Sequence, residues 1–120
     1  MDIHVLYDYC LQKKGSQEGF PFDEDTLAFK VEGKIFALIN LKKWEQGMQA
    51  INLKCDPDRA IALRDVYAEI TPGYHMSKKH WNTIAMSNQV TWQLVTEWID
   101  HSYDLVVAGL PRRTREALEE

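Results

Sequence analysis

No stretch of this 120-residue chain approaches the ~20 consecutive apolar residues of a membrane-spanning helix, so no membrane association is expected. The opening residues, Met1-Asp2-Ile3-His4, lack a basic segment leading into an apolar one, which leaves no secretory signal and points to the cytoplasm. Cysteine is scarce. Cys10 and Cys55 have no metal-ligand spacing and each joins an apolar pattern, so buried, reduced thiols are expected rather than a disulfide or a reactive pair. Positive charge is short overall: a net charge of -4 argues against indiscriminate binding to nucleic acid, which feeds on phosphate neutralisation. There is no repeat, low-complexity tract, Gly-rich phosphate loop, nucleophile elbow or paired-carboxylate signature. A catalytic set can be assembled from distant residues, but nothing here suggests one, and neither an enzyme nor a cofactor is expected.

What the chain does have is one domain's worth of ordinary globular sequence, 45% hydrophobic and 27% charged. Its charge is unevenly spread. Residues 1–33 carry seven acids against three bases, whereas residues 34–81 carry eight bases against five acids. Any anion-binding surface should therefore come from the middle of the chain. There the stretch Thr71-Pro72-Gly73-Tyr74-His75-Met76-Ser77-Lys78-Lys79-His80-Trp81 collects two histidines, two lysines, a Tyr and a Trp.

Periodicity and turn chemistry give the elements. Ile3, Leu6, Tyr7, Cys10 and Leu11 recur at helical spacing, so residues 2–13 read as a helix that Asp2 can cap and Gly15 ends. Residues 15–22 read as a loop pinned to the core by Phe20 and Phe22. Thr26 to Val31 and Lys34 to Asn40 read as a hairpin about Glu32-Gly33. If Val31 faces Lys34, Phe29 faces Phe36 and Leu27 faces Leu38, all on one face. Lys42-Lys43-Trp44-Glu45-Gln46-Gly47 reads as a polar connection with an exposed Trp, and Met48 to Lys54 as a third strand with Ile51 and Leu53 inward. Asp56-Pro57 starts a helix running to about Glu69. Lys79 to Met86 is a further strand with His80, Asn82 and Ile84 on one side. Residues 90–109 form the longest helix, with Leu94, Trp98, Ser102 and Leu105 in register, and a short charged helix, Arg112 to Leu118, follows Pro111. Trp98 should be core and Trp92 partly exposed. Hairpins and short connections predict an α+β fold, an antiparallel sheet with helices packed on one face and the other face open to solvent or a partner.

In order along the chain, Pro21-Phe22, Phe29-Lys30-Val31, Gly33 to Leu38, Leu53-Lys54-Cys55, Pro57, Leu63-Arg64, Pro72 to Met76, Lys78 to Trp81, Ser102-Tyr103, Leu105 to Val107 and Leu110-Pro111 resemble the MmcQ/YjbR family of small bacterial proteins. The resemblance implies a single CyaY-like (frataxin-like) domain over residues 1–120. It also implies the family's DNA-binding label, with strand hairpins as a double wing. Ser77 stands where that motif is expected to carry Asn.

The residue chemistry allows two readings of this stretch. In one, Lys78 and Lys79, joined by Lys42 and Lys43, contact phosphates, His75 and His80 add charge or stack, and Trp81 stacks on bases with little sequence specificity. In the other, the histidines bond backbone across the Pro-Gly turn, Trp81 packs inward and the lysines are simply solvated. The first makes DNA the partner. The competing function is a protein-interaction or small-ligand module using the open sheet face, in either case as a monomer. A His75–His80 metal pair lacks further ligands between them. Asp2 and Asp8 are the only acids on the first helix, and Glu18, Asp23, Glu24 and Asp25 read as a solvated loop, so no iron role is carried over from the fold. Arg112, Arg113 and Arg115 are expected to pair with the glutamates that follow them.

Overall fold

The computed structural model describes residues 1–73 and 76–120. Helix α1 (Ile3–Leu11) begins as expected: the Asp2 carboxylate accepts the His4 N–H at 2.8 Å, and Leu6 and Cys10 are buried. Gly15 then turns the chain at φ +76°, a conformation that favours glycine. The expected loop is instead a short edge strand, β1 (Ser16–Gly19), paired antiparallel with β2 (Thr26–Val31). Phe20 and Phe22, 49% and 65% exposed, do not pin this region to the core.

The β2–β3 hairpin, with β3 spanning Lys34–Asn40, turns at Glu32-Gly33, whose φ values of +50° and +76° match the primed turns that suit twisted strands. Val31 does face Lys34 and Lys30 faces Ile35, but the register then shifts: Phe29 faces Ala37 and Leu27 faces Ile39. Phe36 is the extra residue of a β-bulge. The bulge lets both Phe36 and Ala37 be fully buried, and the Phe36 ring lies 6.3 Å from Phe29 and 5.4 Å from Tyr103. It also moves Leu38 opposite Ala28, on the face away from Leu27 and Phe29. The bulged ladder is completed by α4 (Trp92–Ala108): the buried Ser102 hydroxyl donates to the Phe36 carbonyl at 2.6 Å and accepts the Lys54 N–H at 2.9 Å.

Two further corrections concern the middle of the chain. The polar connection contains a one-turn helix, α2 (Leu41–Glu45), and Trp44 is buried in the core rather than exposed. After β4 (Ala50–Lys54), α3 (Pro57–Val66) stops short of Glu69 because the chain enters another edge strand, β5 (Ile70–Pro72), which pairs with β6 (Trp81–Ala85). The sheet has six antiparallel strands in the order β1-β2-β3-β4-β6-β5.

Helix α4 crosses β2, β3 and β4. Its neighbour α1 is held by Tyr9, whose hydroxyl donates to Asp100 at 2.6 Å and whose ring meets Trp92 at 5.5 Å. Tyr67, at the end of α3, meets the Trp98 ring edge-on at 5.3 Å. The core between helices and sheet is formed by Leu6, Phe29, Phe36, Ile51, Val95 and Ile99, all fully buried. Trp98 is core, Trp92 is 37% exposed, and Cys10 and Cys55 are free and buried. Helix α5 (Arg112–Glu119) carries the expected pairing, Arg112 with Glu116 at 2.9 Å. Among the described residues no helix is long and apolar enough to cross a membrane.

Candidate functional site

Strand alternation leaves one row of residues across the sheet face away from the core. Following the register, Gly19 faces Ala28, Ala28 faces Leu38, Leu38 faces Asn52, Asn52 faces Thr83 and Thr83 faces Thr71. Small side chains in this row leave room above the sheet, and a groove of about 580 Å³ fills that room. Leu38, Asn52 and Thr83 form its floor with Thr26, Asn40 and Ala50. Phe22 and Asp23 wall one side, Lys43 and Met48 come from α2 and the segment after it, and Met76 reaches in from the turn before β6.

The polar atoms of the groove are ordered. Thr83 Oγ1 donates to Asn52 Oδ1 at 2.5 Å. Asn40 caps α2, its Oδ1 accepting the Lys43 N–H at 2.9 Å. Asp23 accepts the Asp25 and Thr26 N–H groups at 2.9 and 2.7 Å and the Thr26 hydroxyl at 3.3 Å, and these bonds hold its carboxyl below the usual range.

The residues singled out in the sequence are distributed differently. His75, with Tyr74, lies outside the described residues. Lys78, Lys79 and His80 are exposed in the turn before β6, and Trp81 is half-buried and faces Lys54 across the β4–β6 ladder. The turn is fastened from α3. Arg64 donates to the Asn82 side chain at 2.7 Å and to the carbonyls of Lys78 and Trp81. Gly73 N–H donates to the Trp81 carbonyl at 2.8 Å, and a Cβ on Gly73 would lie 2.8 Å from the Trp81 Cβ, so only glycine allows this approach. The His80 side chain is outside, while its backbone carbonyl accepts the Cys55 N–H at 2.7 Å.

Lys42 and Lys43 sit at the opposite end of the strands. Ala50 pairs with Ala85 at that end and Lys54 with Trp81 at the other, so the length of β4, about 13 Å from Ala50 to Lys54, separates the two lysine pairs. Of these four lysines only Lys43 lines the groove. Asn40, Asn52, Thr83, Phe22 and Met48 were not legible as a site. The alternation of Asn52 with Ile51 and Leu53, and of Thr83 with Asn82 and Ile84, marks them as facing away from the core. Only the β4–β6 register makes them neighbours. Among the described residues no three His, Cys, Asp or Glu side chains gather as a metal-holding group.

The arrangement defines an α+β protein in which a single antiparallel sheet is covered by helices on one face and carries a groove on the other. Residues 11–105 match the YjbR family model, and the chain belongs to the YjbR family. The protein YbdF of Escherichia coli O157:H7 is 37% identical over 97 residues, covering 81% of this chain and 77% of YbdF. YjbR of Escherichia coli K12 is 30% identical over 118 residues, 98% of each chain. The crystal structure of Deinococcus radiodurans protein DR2400 superposes with a TM-score of 0.88 at 34% identity, covering 98% of this chain and 87% of that one. A Pseudomonas syringae protein gives 0.74 at 25% identity, over 88% and 99% of the two chains.

Proposed function

We propose that the protein is a non-enzymatic binding module that takes a small ligand in the groove of its open sheet face. The observation that carries this reading is the groove itself. Its 580 Å³ falls within the about 300–1,000 Å³ of small-molecule sites, and it combines apolar walls with a few oriented polar groups. The test is a fragment screen followed by amide chemical shifts of the labelled protein. Hits should perturb Leu38, Ala50, Asn52 and Thr83 together, and Ala50→Phe, which puts a ring into the groove, should remove them while the remaining spectrum keeps its dispersion. A screen in which no fragment moves these residues would discard the reading.

A second reading, DNA binding, is supported by the meeting of Lys54 with Trp81 beside the exposed turn of Lys78, Lys79 and His80. There an ammonium group and an aromatic ring could meet a phosphate and a base. Anisotropy of labelled DNA against Lys78→Ala/Lys79→Ala tests it, and unchanged binding by the double variant would remove this turn from consideration. The same proposal takes the fold as CyaY-like (frataxin-like), supported by α1 and α4 lying side by side over one face of an antiparallel sheet. It takes the protein as a cytoplasmic monomer. The cytoplasmic placement is supported by two free, buried thiols, which suit a reducing compartment.

A further inference from the structure

We infer that the groove selects molecules with an apolar body ending in a hydrogen-bond acceptor, a carboxylate foremost, and rejects the matching amines. The inference rests on the groove reading above and deepens it.

It follows from a count of acceptors and donors. Asn52 and Asn40 each carry one acceptor oxygen and one NH₂ group. The Asn52 oxygen is taken by the Thr83 hydroxyl at 2.5 Å and the Asn40 oxygen by the Lys43 backbone N–H at 2.9 Å. Each oxygen keeps one lone pair, while the NH₂ group is the part of each carboxamide left wholly to a ligand. The one carboxylate on the wall, Asp23, is engaged by two N–H groups and a hydroxyl of its own turn. The acceptors of the groove thus each already hold at least one bond inside the protein, and Lys43 and Asp23 place one charge of each sign on its wall. A ligand that brings acceptors completes these donors. A ligand that brings only ammonium donors meets N–H groups and leaves the amide donors unmatched.

The rest of the groove sets the body and the charge. Phe22 and Met48 are 65% and 57% exposed, and Leu38 forms the floor between them and Asn52. The Phe22 and Met48 side chains gain from covering by a flat or branched apolar group. With one lysine and one aspartate among the lining residues, the wall suits one negative charge better than the two of a phosphate monoester.

Three ligands that share one ring system isolate the polar end: indole-3-acetate, indole-3-acetamide and tryptamine. Each is titrated into the labelled full-length protein while the amides of Leu38, Ala50, Asn52 and Thr83 are followed. The acid should bind most tightly, the amide next and tryptamine at least about tenfold more weakly than the acid. Asn52→Asp exchanges the two amide donors for acceptors and a negative charge, so it should reverse the order of acid and amine. Tryptamine binding the wild-type groove as tightly as the acid overturns the inference without any variant, and so does an unchanged acid-to-amine ratio in Asn52→Asp. If fragments of other kinds occupy the groove but none of these three does, the acceptor-ended class is wrong and the groove reading stands. If no fragment of any kind occupies it, both fall.

Discussion

Ser102 shows how one hydroxyl can complete a sheet. The bulge at Phe36 leaves a carbonyl without its ladder partner, and the adjoining end of β4 leaves the Lys54 N–H likewise; the fully buried Ser102 Oγ answers both. Ser102→Ala removes only that atom and strands the buried Phe36 carbonyl and the part-buried Lys54 N–H, so it should cost about 2 to 3 kcal/mol of stability. Urea unfolding would read this as a lower midpoint with an unchanged slope, and a loss below about 0.5 kcal/mol would mean that water or a backbone shift replaces the hydroxyl. His101 supplies a pH-dependent bond of the same kind. Its Nε2 accepts the Asp56 N–H at 3.2 Å, beside the N-terminus of α3, so the ring must be neutral. Burial first, then the Arg59 charge, lower its pKa, against smaller opposing effects of Asp56 and Asp104. The folded state therefore binds this proton less readily than the unfolded state. Its contribution is present above the ordinary histidine value of about 6.5 and declines as pH falls from there through the lowered folded value. His101→Gln, which keeps an acceptor but cannot titrate, should flatten the fall in melting temperature between neutral and mildly acidic pH; an equal fall in both proteins would assign it to other groups.

At the scale of elements, what could be read from the residues was whatever carries its own periodicity or turn. Helices α1 and α4 repeat apolar residues over several turns, and Glu32-Gly33 places a hairpin between two apolar strands. The edge strands β1 and β5, four and three residues long, are too short to show alternation and exist because β2 and β6 offer them a ladder. Trp44 misleads because its neighbours are Lys42, Lys43, Glu45 and Gln46; one helical turn suffices to send it inward and them outward. The bulge has no sequence mark at all, yet it decides that Leu38 belongs to the groove floor rather than the core, and so hides the site. The hairpin also carries a local strain that a substitution can relieve. Glu32 sits at φ +50°, where Asn is better tolerated, so Glu32→Asn should stabilise by up to about 1 kcal/mol with no change in contacts. A melting temperature that falls would show the Glu32 side chain to be held by something other than the turn.

For the whole molecule the decisive fact is the separation of its two lysine pairs by the length of the sheet, with the groove between them. Lys78 and Lys79 belong to the turn that Arg64 fastens, and Lys43 to the groove wall. The two proposed activities can therefore be separated by substitution. Lys78→Ala/Lys79→Ala should leave ligand binding in the groove unchanged, because neither residue lines it. Lys43→Ala should weaken an acidic ligand there. DNA binding responds in the opposite sense. Two phosphate contacts from one turn give a log–log salt slope of only about -2 for duplex DNA, and a chain of net charge -4 has little further attraction to add. Binding with that shallow slope, lost in the Lys78→Ala/Lys79→Ala protein, would identify the turn as the contact. A slope near -4, halved by Lys78→Ala/Lys79→Ala or by Lys42→Ala/Lys43→Ala, would instead require the nucleic acid to span the length of β4 from the turn to Lys42 and Lys43. It would then lie across the mouth of the groove. In that case DNA and the groove ligand should compete, and a titration of one in the presence of the other would show it.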